Sequence, residues 1–339
     1  MNILPLYLPH QGCKQACVYC NQPLIVGSRD EQNDWQQRLE TISASRPDKE
    51  WEIAFYGGTF SALPLQDMDR CFGEVSAYAV APNVRGIRIS TRPDAVPEAI
   101  LLYLKERGVQ TIELGVESMD DSVLIRSGRG HTAEEVREAC ARIRNFGFIL
   151  GIHLMCGLPG QSRTSWEETV EETLRLQPAL VRIAPTLVLK DTPLERLYRR
   201  GRYTPLTLEE AIEQCGYAYA AFHRQGIAIA RVGLALSDRN GDGADKVVAG
   251  PWHPALRHEV ESRLAGETIL NRLAREKSSV ITVNPRDYSV TVGSGRCNVS
   301  RWEQCTGLTI RIERDAQLPR HWVRIGGRMP VPLFYTIHE

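Results

Sequence analysis

The sequence predicts an α/β fold with a parallel sheet, followed by a small α+β domain. Three observations carry this. Short strand-like and helix-like segments alternate through about the first two thirds of the chain. The strand-like segments are short apolar runs, as suits strands buried on both faces. Beyond Val232 the alternation breaks, and a Pro251-Trp-His-Pro254 turn introduces a different pattern.

Residues 3–8 are apolar and read as the first strand. Further strands are expected over Trp51–Tyr56, 86–90, 110–115, 148–154 and 180–184. Helical patterns fill the gaps at 66–80, 97–107 and 166–176. Thr132-Ala-Glu-Glu135 is a capping box, and Val136, Cys140, Ile143 and Phe146 follow it at helical spacing. Such helices provide the long crossovers that parallel strands need. Six β/α units result, which an open doubly wound sheet and a barrel satisfy equally. A further helix begins at Thr207, where Glu210 completes a second capping box, and 227–232 reads as a strand. Then come a long helix over 255–275, a strand at Val280–Val283, a glycine-containing helical stretch, and strands over 308–313 and Trp322–Ile325. Asn240-Gly-Asp-Gly-Ala-Asp245 reads as a surface loop, since it lacks the closing Glu of a calcium loop.

The chain has 339 residues, 42% apolar and 24% charged, as in soluble globular proteins. Lys plus Arg equals Asp plus Glu at 41 each, so net charge does not advertise a nucleic-acid partner. No apolar run reaches membrane-spanning length and no signal-peptide layout is present, so a cytoplasmic location without membrane contact is expected. Of nine cysteines, three share one loop. Cys71, Cys140, Cys156, Cys215, Cys297 and Cys305 are scattered, the pattern of buried free thiols in a reducing compartment.

The loop is Cys13-Lys-Gln-Ala-Cys17-Val-Tyr-Cys20, directly after the first strand. Three thiolates on one short loop can hold three corners of a cubane iron–sulfur cluster, leaving the fourth iron open. Structural zinc wants four ligands, usually in two separated pairs. No second C-x2-C occurs, and His10 is the only further ligand type nearby.

With this C-x3-C-x2-C loop the chain resembles the radical S-adenosylmethionine (radical SAM) enzymes. The resemblance implies a partial (β/α)6 barrel, a 4Fe-4S cluster on Cys13, Cys17 and Cys20, and S-adenosyl-L-methionine chelated at the open iron. It also implies reductive cleavage of that cofactor to a 5′-deoxyadenosyl radical, with an electron donor such as flavodoxin or ferredoxin. Tyr19 would lie by the adenine. Gly57 and Gly58, in Phe55-Tyr-Gly-Gly-Thr-Phe60, match the turn that binds the cofactor's methionine amino group; Thr59 stands where the family motif often has Glu. Ser90, in Ser90-Thr-Arg-Pro-Asp94, and Glu117, in Glu113-Leu-Gly-Val-Glu-Ser118, end strands at the active-site rim of a barrel. Glu117 matches a ribose-binding position and Arg129 one that pairs with the cofactor carboxylate. The alternative for these two is a barrel-mouth salt bridge. Met155 and Gly157 lie in Gly151-Ile-His-Leu-Met-Cys-Gly-Leu-Pro-Gly160, similar to the adenine-side segment. His153 in that strand is as readily a core histidine as a catalytic one.

Val181-Arg-Ile-Ala-Pro-Thr-Leu-Val-Leu-Lys-Asp-Thr-Pro-Leu-Glu195, with the Ser90–Asp94, Gly115–Ser118, Arg129–Thr132 and Gly201–Pro205 segments, narrows the resemblance to the Elongator catalytic subunit family. Those enzymes space their cluster cysteines more widely and carry an acetyltransferase domain, which the tail here is too short to hold. Acetyl transfer is therefore not expected of this chain, whereas an RNA substrate, transfer or ribosomal, is. Arg92, Arg182 and Lys190 are candidate substrate contacts. The domains expected are a radical SAM partial barrel over 1–235, a linker and helix over 236–276, and a small α+β domain over 277–339. The last has the order strand, glycine loop, helix, Thr-Gly, strand, which resembles KH RNA-binding modules. It holds nine Lys/Arg and five Asp/Glu, net +4. Gly293, Gly295, Arg296 and Asn298 are its candidate RNA contacts; the alternative is a domain that only packs on the barrel. Rival functions are a radical SAM enzyme of a small metabolite or tetrapyrrole, and a non-catalytic iron–sulfur RNA-binding regulator.

Overall fold

The computed structural model describes residues 2–14, 17–26, 35–44, 48–234, 236 and 244–334. Most of the loop expected at 240–245 lies outside the described residues. Seven parallel strands form the main sheet: β1 (Asn2–Tyr7), β2 (Trp51–Tyr56), β3 (Val84–Thr91), β4 (Val109–Glu117), β5 (Ile149–Cys156), β6 (Leu180–Pro185) and, after the short β7 (Val188–Leu189), β8 (Ala228–Val232). Their spatial order is β1-β2-β3-β4-β5-β6-β8. A doubly wound sheet reverses its strand order at a switch point, and this one never does. Every right-handed crossover therefore returns to the same face, and the sheet curls around the other. The result is a half-barrel with β1 and β8 as its edges. Its seventh strand, β8, is the one read at 227–232 after the six β/α units.

The helices α1 (Gln22–Val26), α2 (Trp35–Ser43), α3 (Leu65–Ala79), α4 (Glu98–Glu106), α5 (Asp121–Arg126), α6 (Ala133–Asn145), α7 (Arg163–Arg175), α8 (Pro193–Arg199) and α9 (Leu208–Arg224) lie between and after the strands. Both capping boxes form, at Thr132/Glu135 and Thr207/Glu210, each worth about 1 kcal/mol. Strand residues alternate between the two faces of the sheet. Ile53 and Phe55, Ile87 and Ile89, Ile112 and Leu114 are buried in the apolar core shared with the helices. Phe55, Phe60 and Phe72 close that core with ring centroids 4.7 Å and 5.4 Å apart along the row. The intervening residues, including Glu52, Tyr56, Arg88, Ser90, Thr111 and Glu113, bring polar groups to the concave face. Burial on both faces is thus real, but the inner face is ionic.

β7 pairs antiparallel with β9 (Val247–Ala249). The long helix α10 (Leu256–Glu276) packs on α9 on one side, and on α11 (Tyr288–Val292) and α12 (Cys297–Thr306) on the other. Beyond it lies a second sheet of β10 (Val280–Val283), β11 (Arg311–Arg314), β12 (Trp322–Ile325) and β13 (Val331–Pro332), in the order β11-β10-β12-β13. The strand expected over 308–313 starts later, because Gly307 leaves α12 in a left-handed conformation (φ 70°) before the ladder begins. Trp302, Val323 and Phe334 belong to the same apolar core as the barrel. Among the described residues no helix is long and apolar enough to cross a membrane. All nine cysteines are free, but Cys297 and Cys305 are exposed, unlike the buried thiols expected at all six scattered positions.

Candidate functional site

Two turns at the carboxyl ends of β1 and β2 are zipped together by backbone. His10 N donates to Gly57 O at 2.9 Å, and Thr59 N donates to Gln11 O at 2.9 Å. A Cβ on Gly58 would run into the carbonyls of Gln11 and Leu8, and one on Gly12 into the carbonyl of Thr59. Only glycine permits this approach, so the two turns form one rigid unit. Cys13, Cys17 and Cys20 project from it into a cavity of about 470 Å³ in the concave face. Gly57, Gly58, Thr59, Tyr19, Ser90, Arg92, Glu117, Arg129, Met155 and Arg182 line the same cavity.

The thiols have distinct surroundings. Cys13 Sγ lies 3.3 Å from Thr59 Oγ1, Cys17 Sγ accepts from Arg129 Nη1 at 3.2 Å, and Cys20 Sγ accepts from Gln22 Nε2 at 3.5 Å. Burial, then the charge of Cys17, pushes the Cys20 thiol up to about 12. Among the described residues no three Cys, His, Asp or Glu side chains converge closely enough to hold an ion unaided.

Glu117 ends β4 in a left-handed conformation (φ 68°), beside a register shift against β5. Such a conformation in a non-glycine residue is costly and clusters at functional sites. Its Oε2 stands 3.0 Å from His153 Nδ1, and its Oε1 3.9 Å from Arg129. Burial works against its charge, but His153 and Arg129 outweigh it and lower its pKa. Burial likewise opposes the charge of Arg129, while Tyr19, Glu117 and Cys17 hold it charged. Tyr19 packs against Val123, Met155, Leu158 and Ala184, forming an apolar slot. The Tyr19 hydroxyl, Arg92 Nη1 and Arg129 Nε are buried without a partner among the described residues. Orphaned polar atoms converging on one cavity mark a place for a polar ligand.

Sequence reasoning missed the floor of the cavity. Arg88 is 3% exposed, which leaves it no water to pair with. It bridges Glu52 (Nε–Oε2 2.8 Å) and Glu113. Glu113 also accepts from Arg182 (3.1 Å) and the Tyr56 hydroxyl (3.0 Å), and Thr111 donates to Glu52 at 2.6 Å. The available signal was polar residues at period two within β2, β3 and β4.

Three groups of candidates fall elsewhere. Lys190 is exposed outside the cavity lining; its backbone joins Lys246 and Asn21. Gly157 turns beside the Tyr19 slot, with its carbonyl accepting from the Tyr203 hydroxyl at 2.7 Å. Asn298 is no surface contact: it is buried, and its Nδ2 donates to Ser262 O, Ser262 Oγ and Thr291 O. Gly293 packs against Cys297 and Ser262, and Ser294 donates to the Glu259 carboxylate at 2.7 Å. A phosphate at this loop would meet that carboxylate. Gly295 faces open space and Arg296 is exposed.

The model of the Radical SAM superfamily matches residues 7–173, and that of the Radical_SAM C-terminal domain matches 178–266, together about three quarters of the chain. A tRNA uridine(34) acetyltransferase of Methanocaldococcus jannaschii is 29% identical over 202 residues, covering 54% of this chain and 37% of the relative. One from Dehalococcoides mccartyi is 36% identical over 230 residues, covering 57% and 50%. The chain thus spans half or less of the length of these two relatives. A solved structure of archaeal Methanocaldococcus infernus Elp3, with an N-terminal deletion, shares the fold at TM-score 0.59 and 22% identity. That match covers 81% of this chain and 63% of the other.

Proposed function

Because the chain belongs to the radical SAM superfamily, we propose that its cavity is a radical SAM active site whose substrate is an RNA, transfer or ribosomal. The observation that carries the first part is the shared lining: three cysteines, the Gly57-Gly58-Thr59 turn, Glu117 and Arg129 face one cavity. The donor set fits the group, since three thiols facing one cavity beside the unpartnered Arg129 Nε and Tyr19 hydroxyl suit a cluster with one open iron and a polar ligand on it. When bound, the 4Fe-4S cluster and S-adenosyl-L-methionine supply one-electron cleavage to a 5′-deoxyadenosyl radical, given an external reductant such as flavodoxin or ferredoxin.

The protein's part is placement. Cys13, Cys17 and Cys20 hold the cluster. The Gly57–Gly58 backbone receives the methionine amino group, and Arg129 its carboxylate. Glu117 accepts from the ribose hydroxyls, and its Oε2, buried without a hydrogen-bond partner among the described residues, is open to them. Tyr19, Met155 and the turn at Gly157 enclose the adenine, and Ser90 and Thr59 complete the wall. Arg92 and Arg182 contact substrate. The RNA assignment is supported by the likeness to two tRNA uridine(34) acetyltransferases.

Anaerobically reconstituted protein should bind about four irons and absorb broadly near ~400 nm. With a reductant it should release 5′-deoxyadenosine or methionine. Cys17→Ala should lose both properties; full iron loading in that variant, or stoichiometric zinc in the parent, would sink the assignment. Mass spectrometry of RNA nucleosides from a deletion strain tests the substrate. An unchanged nucleoside profile would eliminate RNA.

A further inference from the structure

Among the described residues, the ion pairs of the concave face leave one arginine over. Glu52 and Glu113 take up Arg88 and Arg182, while Glu117 takes up Arg129. Arg231 remains, and no hydrogen bond or ion pair reaches it among the described residues. It stands on β8 as the register partner of Arg182 on β6, and both line the cavity. Tyr7 lines it from β1, the opposite edge of the half-barrel, and Tyr56 from β2.

Adjacent guanidiniums repel unless an anion lies between them. Arg231 is solvent-exposed on the edge strand β8, and the desolvation it does feel, together with Arg182, pushes its pKa below the ordinary range. The Arg182 guanidinium lies over the Tyr56 ring at 5.3 Å and uses only Nη1 on Glu113. A guanidinium has five N–H donors, so Arg182 keeps donors for a ligand.

We propose that Arg231 and Arg182, walled by Tyr7 and by the Tyr56 ring, form a subsite for an anionic group, phosphate or carboxylate, on the substrate molecule. This rests on reading the cavity as a radical SAM site, and it adds a chemical requirement: the substrate enters carrying a negative charge near the reacting centre. Arginine pairs suit either group, because their forked donors match two oxygens at once. The subsite lies toward the edges of the sheet, whereas Glu117 and Arg129 lie at its middle, at and beyond the end of β4.

The test uses the full chain with two probes, inorganic phosphate and succinate, titrated calorimetrically against chloride at constant ionic strength. Parent, Arg231→Gln, Arg231→Lys and Arg85→Gln are compared; Arg85 is an exposed partner of Glu50 outside the cavity lining. At least one probe should bind the parent. Arg231→Gln should weaken it about tenfold or more, the loss of a charge-assisted contact. Arg231→Lys should weaken it less, and Arg85→Gln should change nothing. Preference for phosphate assigns the subsite to a phosphoryl group, and preference for succinate to a carboxylate. Equal affinity in parent and Arg231→Gln overturns the proposal, as does failure of both probes to bind the parent. Iron content and S-adenosyl-L-methionine binding are measured on the same proteins. Failure of the parent in those assays defeats the functional reading and leaves the anion result standing. Success there, with anion binding indifferent to Arg231, defeats the subsite alone.

Discussion

His131 shows what one side chain concedes to this site. It is 4% exposed, and its Nε2 lies 3.3 Å from Val116 O while Nδ1 has no hydrogen-bond partner among the described residues. Burial, then Arg129 and Arg92, lowers its pKa to about 4, against the pull of the Val116 carbonyl and Asp94. Above the ordinary value of 6.5 the ring is neutral folded or unfolded and costs nothing. Between 6.5 and about 4 the unfolded chain binds a proton that the folded chain refuses, so stability falls with falling pH. Below about 4 both states are protonated and the loss levels off, at roughly 3 kcal/mol. Urea midpoints measured from pH 7 to 4 should therefore drop less steeply in His131→Gln than in the parent. Parallel curves would show that His131 titrates normally. Nothing in the sequence foretold this neutral histidine. The Cys13, Cys17 and Cys20 spacing was legible because ligand geometry is local in sequence, whereas the surroundings of His131 come from Arg92 on another turn of the barrel.

At the scale of elements, two helical glycines make opposite predictions. Gly73 in α3 faces open space, so Gly73→Ala should stabilise by ~0.5–1 kcal/mol through chain entropy alone. A Cβ at Gly266 in α10 would lie 2.5 Å from Asn298 Oδ1. Asn298 cannot swing away, because three hydrogen bonds hold it, and the Gly266 carbonyl takes the Trp302 indole N–H at 2.8 Å. Gly266→Ala should lose more than the helix gains, about 1–3 kcal/mol net. Thermal melting of the two variants checks both signs, and a stabilised Gly266→Ala would show that α10 and α12 part easily. The elements themselves were well marked in the sequence. Both capping boxes form, and the strands at Trp51–Tyr56, Val280–Val283 and Trp322–Ile325 appear where apolar periodicity put them. At the glycine loop after Val292 the sequence left a phosphate clamp and a packing role both open, and Gly295 and Arg296 remain exposed there. Gly293 and Asn298 have the composition of a phosphate clamp, yet they serve the packing of α11 and α12 on α10.

For the whole molecule, the barrel and the tail share one apolar core, in which α10 is the middle layer. A chain ending at residue 276 would expose the face of α10 that meets α11 and α12. Each large apolar side chain so uncovered costs about 1.5–3 kcal/mol. That truncation should melt at least ~10 °C lower than the full chain or fail to stay soluble. An unchanged melting temperature would show the tail to be independent. Composition could not reveal this, since pairing between layers leaves no period in the sequence. The monotonic strand order has a last consequence. A ring of strands closed on itself could be entered only from its ends, by a small molecule or a free terminus. Among the described residues β1 and β8 pair with no further strand, so the ring stays open on one side, with Arg38 and Arg257 reaching the edge carbonyls of Pro5 and Ile229. Through such an opening a monomer can be presented while its neighbours on both sides stay outside, so a polymer needs no threading and no cutting before one of its units is reached.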